Sequence, residues 1–357
     1  MILGFLRLML FYCSPGNSTQ IDAVFAEFNK QDVPGASVTV IEDGKIIYKK
    51  GYGLANLETR EKADEYTNYR LASVTKQFTA MCIMILKEKG LLDYENTLTD
   101  IYPDFPDYGK KVTIKNLLQH TSGLIAYEDL IPDAQTEQVH DKDVLDLMKQ
   151  QDSTYYEPGS KYRYSNSGYA VLAMTVEKLS GKRFSRFLKD NIFTPLGMEN
   201  TVAYEKGIST IENRAFGYAE KEGSFEGSDQ SVTSAVLGDG GIYTSVMDYY
   251  KWDQTLYTNK LVSLETINEA FTPGKLNDGS TIETGYGFGW FTGEVKGIKW
   301  VGHSGSTCGF RTYVLRIPEK KFTVVVLINR RDPEAQKYAY EVANLYTDGL
   351  FEELLSE

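Results

Sequence analysis

The sequence predicts an α+β fold, in which an antiparallel sheet built from both chain ends is flanked by helices and carries an inserted, mostly helical lobe. Residues 36–50 predict two strands joined at Asp43-Gly44, because this dipeptide tolerates the positive φ of a tight hairpin turn. Residues 310–317 and 321–328 are apolar and β-branched and predict a second hairpin. The long segment between these hairpins has mainly helical periodicity. We therefore expect the two chain ends to pair in one sheet.

This pairing divides one large domain, residues 14–357, into two lobes. We expect a sheet lobe of about residues 14–70 and 280–357, and a helical lobe of about residues 71–279. A cleft between two lobes is the usual place for a binding or active site.

The helices are predicted from apolar periodicity and from their end signals. Residues 18–31 predict an amphipathic helix, and the segment from Ser73 to Lys89 predicts another that stops at Gly90. Ser245 followed by Asp248 is typical of a capping box. Further helices are predicted at residues 139–150, 167–180, 183–192 and 333–354. Tyr286, Phe288 and Trp290 alternate with glycines and predict one more strand.

Composition excludes several functional classes. The formal net charge of −11 argues against a nucleic-acid partner, which would need a basic surface. Three cysteines and three histidines show no metal-ligand spacing, so we expect no metal site. His120 and His140 are interpreted as a buried structural histidine and an exposed one.

The first 13 residues are almost wholly apolar up to Cys13, and they are too short to cross a bilayer as a helix. They predict the remnant of an export signal, and hence a periplasmic or extracellular protein. Cys13 stands where a lipoprotein signal places its lipidated cysteine, although Phe11 and Tyr12 precede it where small residues are expected. We expect membrane contact only if this segment is retained or Cys13 is lipidated.

The strongest chemical pattern is Ser73-Val-Thr-Lys76, the one Ser-x-x-Lys of the chain. Residues at i and i+3 share a helix face, so the lysine amine can reach the serine hydroxyl. A serine becomes a strong nucleophile when a base takes its proton, and a lysine can be that base if burial and nearby positive charge lower its pKa. An ordinary N-cap serine beside a solvated lysine is the alternative.

Two later patterns supply further polar groups. Tyr164 and Asn166 follow a Pro-Gly turn and precede an apolar helix, at a junction that can aim side chains into a cleft. The phenol could shuttle a proton if a nearby ammonium lowered its pKa. His303, Ser304, Gly305 and Ser306 lie near the end of a glycine-rich strand, whose N–H groups can bind an extended substrate or an oxyanion. The alternatives are a turn-capping tyrosine and a surface histidine.

The order Ser-x-x-Lys, Tyr-x-Asn, His-x-Gly resembles that of the β-lactamase-related serine hydrolases. These include class C β-lactamases, D-alanyl-D-alanine carboxypeptidases, family VIII esterases and D-amino-acid peptidases, and Ser-x-x-Lys is among the motifs of β-lactamases and penicillin-binding proteins. The segments at 120–124, 240–245 and 302–310 also resemble this family. The resemblance covers roughly residues 18–350 and implies a β-lactamase/transpeptidase-like fold.

The resemblance also implies a role for each group. Ser73 would be the acylated nucleophile, Lys76 its base, and Tyr164 a proton relay. Asn166 would hold a substrate amide, and His303 would stand where many relatives carry the lysine of Lys-Thr-Gly. The N–H groups of Ser73 and Ser306 would form the oxyanion hole. The resemblance implies no metal and no organic cofactor.

The His-Ser-Gly in place of Lys-Thr-Gly bears on the substrate. A histidine is mostly neutral at pH 7, whereas a lysine is a cation that favours the carboxylate of a β-lactam or peptide. We expect a D-alanyl-D-alanine carboxypeptidase, a penicillin-binding-like peptidase or an esterase. The alternatives are a class C-like β-lactamase, a penicillin sensor that acylates without turnover, and an inactive relative.

The acyl donor is not specified by these motifs. We expect a small-molecule or peptide substrate, such as a β-lactam, a D-amino-acid peptide or an ester. A charged His303 would bind a substrate carboxylate, with kcat/KM falling as pH rises through about 6.5, and the Ser304 and Ser306 hydroxyls would add hydrogen bonds. The loops at 125–138 and 215–237 are the expected walls that select the substrate.

Overall fold

A computed structural model describes residues 15–355 of the 357-residue chain. The predicted export segment and its possible lipidation site, Cys13, lie outside the described residues. Among the residues that are described, no helix is both long and apolar enough to cross a bilayer.

The main sheet has six antiparallel strands and is built from both ends of the chain, as predicted. Its order is β10-β11-β12-β13-β1-β2. These strands are β1 (Ala36–Glu42), β2 (Lys45–Tyr52), β10 (Phe291–Val295), β11 (Ile298–Thr307), β12 (Phe310–Ile317) and β13 (Phe322–Ile328). The ends meet where β1 pairs with β13, with Ala36 opposite Ile328. Asp43 and Gly44 join β1 to β2 with φ values of 49° and 74°, the conformation expected of this dipeptide.

Short strands occur outside the main sheet, both at residues 54–70 and in the inserted helical lobe. These strands are β3 (Leu54–Asn56), β4 (Glu61–Lys62), β5 (Tyr69–Arg70), β6 (Val202–Ala203), β7 (Tyr218–Lys221), β8 (Ser224–Gly227) and β9 (Ile242–Thr244). They form a small sheet of order β5-β9-β6 and two hairpins. The predicted helical lobe is therefore mostly, but not wholly, helical.

The helices agree with the predicted ones in position and are often shorter. They are α1 (Pro15–Val24), α2 (Lys76–Glu88), α3 (Leu98–Ile101), α4 (Ile114–Leu118), α5 (Asp141–Lys149), α6 (Asn166–Ser180), α7 (Phe184–Leu188), α8 (Thr194–Leu196), α9 (Leu237–Gly240), α10 (Val246–Thr255), α11 (Leu264–Ala270) and α12 (Ala335–Asn344). Gly90 has a φ of +69° just after α2, consistent with the predicted stop. The Ser245 hydroxyl caps α10 by accepting from the Asp248 N–H.

Helices cover both faces of the main sheet. Helix α12 packs on β12 and β13 and contacts α1, which gives one face an apolar layer. Helix α10 packs on β1 and β13 from the other side. A larger core continues from there into the helical lobe, where α2, α6 and α9 contact one another. The segment that contains Ser73 contacts both β11 and α9, so it lies where sheet and helical lobe meet.

The strand predicted at Tyr286, Phe288 and Trp290 is wrong. These side chains are buried, but the segment is irregular, and Tyr286 makes just an isolated bridge to Phe291. Gly285 and Gly289 have φ values of 69° and 76°, which a regular strand does not allow. A Cβ on Gly289 would lie 2.7 Å from the Lys76 carbonyl oxygen, so this glycine brings the segment against the start of α2.

Candidate active site

The Ser73 segment is a strained turn rather than a simple helix start. Residues Ala72–Thr75 form a 3-10 turn, and α2 begins at Lys76. Ala72 has a φ of +49°, a conformation that non-glycine residues adopt at an energetic cost. Ser73 is half-buried, and the structure gives it no capping hydrogen bond to the turn that would fit the alternative of an ordinary N-cap.

Backbone contacts on both sides hold this turn in place. The Leu71 N–H donates to the Ile242 carbonyl at 2.8 Å, and the Thr312 hydroxyl donates to the Leu71 carbonyl at 2.8 Å. A Cβ on Gly305 would lie 2.1 Å from the Leu71 oxygen, so a glycine is required for β11 to approach this closely. The nucleophile candidate is therefore fixed between β9 and β11.

The side chain of Lys76 is fully buried and lies at the centre of a polar network. Its Nζ donates to Ser73 Oγ at 3.2 Å, to Asn166 Oδ1 at 2.8 Å and to the Asp239 carbonyl oxygen at 2.9 Å. Burial lowers the pKa of Lys76 to about 8, although the carboxylates of Asp239 and Glu128 oppose this decrease. Burial thus acts as expected from the sequence, but the nearby charges are negative rather than positive.

Asp239 is a buried carboxyl that the sequence patterns did not indicate. It lies in α9 and accepts a hydrogen bond from the Tyr127 hydroxyl at 3.1 Å. Burial raises the pKa of Asp239 to about 6, whereas the Lys76 ammonium lowers it. The available signal was its place in the glycine-rich segment 238–241, just before the family-like segment 240–245.

Glu128 is a second carboxylate that the motifs missed, although it lies within the loop expected to form a cleft wall. It is exposed, and its Oε1 accepts from Asn166 Nδ2 at 2.7 Å. Asn166 was expected to hold a substrate amide. In this structure its amide bridges the ammonium form of Lys76, which donates, and Glu128, which accepts, and this bridge fixes its orientation. Its contact with a substrate amide stays a prediction.

The Tyr164 hydroxyl is buried and makes no hydrogen bond of regular geometry to any described residue. Ser73 is nevertheless close enough to lower the pKa of Tyr164 in part. Burial dominates and raises the pKa of Tyr164, and the charges of Asp239 and Glu128 raise it further. The condition set for a proton shuttle, an ammonium that lowers this pKa, is not met, although Lys76 Nζ lies 4.9 Å from the centre of the ring. The phenol is therefore protonated at neutral pH.

His303 is brought near this network but is not a cation. It is buried in β11, where its Nδ1–H donates to the Ser304 carbonyl at 2.7 Å and its Nε2 lies 3.1 Å from the Tyr286 hydroxyl. Because a carbonyl only accepts, the proton lies on Nδ1. Burial lowers the pKa of His303 to about 3. The expected binding of a substrate carboxylate by a charged His303 is therefore wrong.

The other predicted residues of β11 differ in exposure. Gly305 is buried against the Ser73 turn, whereas Ser304 and Ser306 are exposed. Ser306 lines the same cleft as Ser73, and Ser304 does not line it. The oxyanion hole formed by the N–H groups of Ser73 and Ser306 stays a prediction.

His120 and His140 lie where the sequence placed them. His120 is buried, and its Nδ1 accepts from the Ser165 N–H at 3.1 Å, with the ring centre 4.2 Å from that of Tyr164. Burial lowers the pKa of His120 well below its usual value. The side chain of His140 is 66% exposed. His120 thus supports the position of Tyr164 by packing.

Ser73, Asn166 and Ser306 line a small polar cleft of about 150 Å³, which Lys76 and Tyr164 do not line. Besides Ser73, Asn166 and Ser306, its wall includes Tyr127, Glu128 and Asp239. A larger groove of about 700 Å³, lined by parts of residues 183–212, shares no lining residue with it and contains none of the predicted site residues. Among residues 15–355, no cluster of three histidine, cysteine or carboxylate side chains could hold a metal.

The sequence and fold of this chain can be compared with those of known proteins. The family model described as Beta-lactamase matches residues 21–347. The chain belongs to this family. Within the family, the chain is 33% identical over 328 residues to Penicillin-binding protein 4* of Bacillus subtilis (strain 168), covering 87% of this chain and 72% of that protein. The resemblance inferred from the three motifs is thus confirmed.

Other relatives extend further than this chain. It is 27% identical over 325 residues to Protein flp of Staphylococcus aureus (strain MW2), covering 87% of this chain but 62% of that protein. It therefore spans less than two thirds of the length of flp.

Solved structures confirm the predicted α+β fold. The octameric penicillin-binding protein homologue from Pyrococcus abyssi superposes with a TM-score of 0.80 at 29% identity, covering 93% of this chain and 77% of that one. D-amino acid amidase from Ochrobactrum anthropi SV3 superposes with a TM-score of 0.76, covering 95% and 98%. At 22% identity, the second comparison shows the shared fold alone.

Proposed function

We propose that this protein is a serine hydrolase that transfers acyl groups through a covalent intermediate on Ser73. Its membership of the β-lactamase family, a family of serine hydrolases, supports acyl transfer in general. The observation that carries the proposal is the contact of 3.2 Å between Lys76 Nζ and Ser73 Oγ, made by a buried lysine with a pKa lowered to about 8. A base with a pKa near the pH of the reaction is partly unprotonated at that pH and still binds a proton well enough to take it from the nucleophile.

The first chemical step follows from this contact. Neutral Lys76 accepts the Ser73 proton as Oγ attacks the carbonyl carbon of the acyl donor, and the carbonyl oxygen becomes an oxyanion. The N–H groups of Ser73 and Ser306 receive this oxyanion. Tyr164, protonated because burial raises its pKa, gives its proton to the leaving group and is reprotonated from Lys76. The bond to the leaving group breaks, and the acyl group stays on Ser73.

Hydrolysis then reverses these roles. Neutral Lys76 takes a proton from water as the water oxygen attacks the acyl-enzyme carbonyl carbon. The bond from this carbon to Ser73 Oγ then breaks, Tyr164 gives its proton to Ser73 Oγ and is reprotonated from Lys76, and the acid product leaves. A chain that acylates but does not place this water would act as a penicillin sensor. The geometry around Ser73 is the same in both cases, so turnover is the property that separates them.

We propose a peptidase or esterase of the penicillin-binding type as the specific activity, with D-alanyl-D-alanine carboxypeptidase and ester hydrolysis as the leading forms. Similarity to proteins named penicillin-binding protein supports reaction of Ser73 with penicillins. Neutral His303 offers no charge to a carboxylate, which argues against an efficient class C-like β-lactamase. Export of the protein, with a small-molecule or peptide substrate, remains part of this proposal.

The test is the intact-protein mass after incubation with benzylpenicillin, a p-nitrophenyl ester and a fluorophosphonate, while the free drug and released nitrophenol are followed. Wild type should gain one acyl or phosphonyl group, and Ser73→Ala should gain none and lose at least about a thousandfold in ester cleavage. Ser224→Ala, which alters an exposed serine of β8, is the control and should behave as wild type.

The outcomes separate the alternatives. A lasting penicillin adduct with stable drug indicates a penicillin-binding protein, and loss of drug without an adduct indicates a β-lactamase. Ester cleavage without any penicillin adduct indicates an esterase. If no reagent labels Ser73, or if Ser73→Ala keeps full turnover, the proposed function is wrong.

A further inference from the structure

The short helix α9 is held at its N-terminal end by a buried carboxylate that the proposed acyl transfer does not use. This carboxylate belongs to Asp141, the first residue of α5, which is 7% exposed. Its Oδ2 accepts from the Leu237 N–H and its Oδ1 from the Gly238 N–H, both at 2.8 Å. These are the first two N–H groups of α9, which have no acceptor within their own helix. Asp141 therefore fixes the place where α9 begins.

The carbonyl groups of α9 accept hydrogen bonds from side chains of α2. The Gly238 carbonyl accepts from the Thr79 hydroxyl at 2.7 Å, and the Asp239 carbonyl accepts from Lys76 Nζ at 2.9 Å. Because α9 has four residues, a displacement of its first two residues also moves the Asp239 carbonyl. Asp141 thus fixes one end of the same turn whose other end holds Lys76.

The third neighbour of α9 is α6, which packs against it without a gap. A Cβ on Gly238 would lie 2.4 Å from the Tyr169 carbonyl oxygen and 2.6 Å from the Ala173 Cβ, so a glycine is required for this approach. The position of α9 is therefore set by a carboxylate of α5, the backbone of α6 and side chains of α2 together. Either a lost acceptor or an added methyl group would displace it.

The charge state of Asp141 suits this contact. Burial raises the pKa of Asp141 to about 7, the N–H groups of Leu237 and Gly238 lower it, and the Asp239 carboxylate raises it. The group is therefore mostly ionised at pH 8, and both oxygens accept. An asparagine has a single acceptor oxygen, so one of the two buried N–H groups would lose its partner. A buried N–H without an acceptor is costly, and a shift of α9 would relieve that cost.

We propose that Asp141 is a positioning residue for the acylation of Ser73. By fixing α9, its carboxylate keeps the Asp239 carbonyl where this carbonyl holds Lys76 Nζ within reach of Ser73 Oγ. Asp141 does not line the cleft, so it acts through α9 and not on the substrate. This inference rests on the proposed acyl transfer at Ser73.

The test measures the acylation rate and the protonation of Lys76 separately. Acylation of Ser73 is followed in a single turnover with p-nitrophenyl acetate at pH 8, over a range of ester concentrations. The pKa of Lys76 is measured by carbon-13 NMR on protein labelled at the lysine Cε atoms, and Lys76→Met assigns its signal. The second measurement needs no substrate, and a general loss of stability does not change it in the folded protein.

Asp141→Asn should lower the maximal acylation rate at least about tenfold, because small displacements of a base slow proton transfer strongly. The ester concentration that gives half the maximal rate should change by less than about threefold, since the cleft wall is intact. The pKa of Lys76 should fall from about 8 to about 7, because its ammonium form loses a carbonyl acceptor.

Gly238→Ala displaces the same turn without altering any carboxylate, so it should reproduce both changes. It also decides the question if circular dichroism shows that Asp141→Asn does not fold. Asp146→Asn is the control, because it removes another carboxylate of α5, 45% exposed and paired with Lys142. It should match wild type in both measurements.

The inference is overturned if folded Asp141→Asn or Gly238→Ala acylates at the wild-type rate. It is also overturned if acylation slows while the pKa of Lys76 stays in place, or if Asp146→Asn has the same effects.

Wild type keeps the two proposals apart. If neither p-nitrophenyl acetate nor a fluorophosphonate reacts with Ser73, the proposed function fails, and with it the role of Asp141 in acylation. If wild-type Ser73 reacts but the variants change neither the rate nor the pKa of Lys76, the positioning role is wrong and the serine hydrolase stands.

Discussion

Lys76, next to Ser73, and Arg316, in strand β12 of the main sheet, are both fully buried, but their hydrogen-bond partners differ in charge. Lys76 donates to a hydroxyl, an amide oxygen and a backbone carbonyl, all of them neutral. Arg316 donates directly to the carboxylate of Asp253 at 2.6 Å, a group that also accepts from the Thr323 hydroxyl.

The consequence is opposite for the two charges. Burial lowers the pKa of Lys76 to about 8, because the carboxylates that oppose this change do not contact it directly. Burial also disfavours the charge of Arg316, but Asp253 outweighs that effect and raises the pKa of Arg316. A buried cation in direct contact with a carboxylate stays charged and links β12 to α10, whereas one among neutral acceptors can release its proton.

The largest expected effect is that of Lys76→Met on catalysis. Loss of the base should lower the rate of Ser73 acylation by about a thousandfold or more, since nucleophile and base act as a unit. The measurement is single-turnover acylation by a p-nitrophenyl ester, together with thermal unfolding followed by circular dichroism. The variant should remain folded. An acylation rate within tenfold of wild type would show that another group is the base.

Arg316→Met should instead affect stability. It leaves Asp253 buried without its cation, which costs about 3–5 kcal/mol of the free energy of unfolding. Urea unfolding measures this loss. Arg183→Met is the control, because the Arg183 side chain is 55% exposed and its ion pair with Glu205 contributes about 0–1 kcal/mol to the free energy of unfolding. The folded fraction of Arg316→Met should acylate at the wild-type rate. If the folded Arg316→Met protein lost acylation, the assignment of Lys76 to catalysis and of Arg316 to stability would be contradicted.

A smaller effect is expected when the negative charge near Lys76 is removed. Activity requires neutral Lys76, so kcat/KM of wild type should fall as pH falls through about 8. The Asp239 carboxylate, with a pKa of about 6, is ionised at that pH and helps Lys76 to keep its proton. Asp239→Asn should therefore move this limb of the pH profile to lower pH. A limb that stays in place or moves upward would refute the electrostatic account.

How far the sequence predicted this structure depends on the range of each interaction. The pairing of β1 with β13 followed from apolar periodicity at both chain ends, and the turn at Asp43-Gly44 followed from local backbone chemistry. The segment 286–290 was mistaken for a strand because its aromatic alternation imitates one. The left-handed conformation of Gly289 is set by its contact with Lys76, more than 200 residues away.

The site divides in the same way. Ser73 and Lys76 are three residues apart, so their contact could be predicted from helix geometry. Asp239 and Glu128 reach Lys76 from segments that are distant along the chain, and no spacing rule connects them. The sequence therefore allowed a prediction that burial lowers the pKa of Lys76. It did not allow a prediction that the neighbouring charges are negative.

The smallest expected effect concerns His303, a third buried side chain that can carry a positive charge. Its ring lies between the Ser304 carbonyl and the Tyr286 hydroxyl. Because burial lowers the pKa of His303 to about 3, the ring is neutral from pH 5.5 to 8. His303→Asn should thus leave the shape of the kcat/KM profile unchanged over this range, with a loss of about tenfold or less in rate from altered packing. Tyr286→Phe, which removes the hydroxyl partner, should also keep the shape. The contrary result would be a change in wild-type kcat/KM near pH 6.5 that is absent from His303→Asn. It would show that His303 becomes charged in this range, and that burial does not keep its ring neutral.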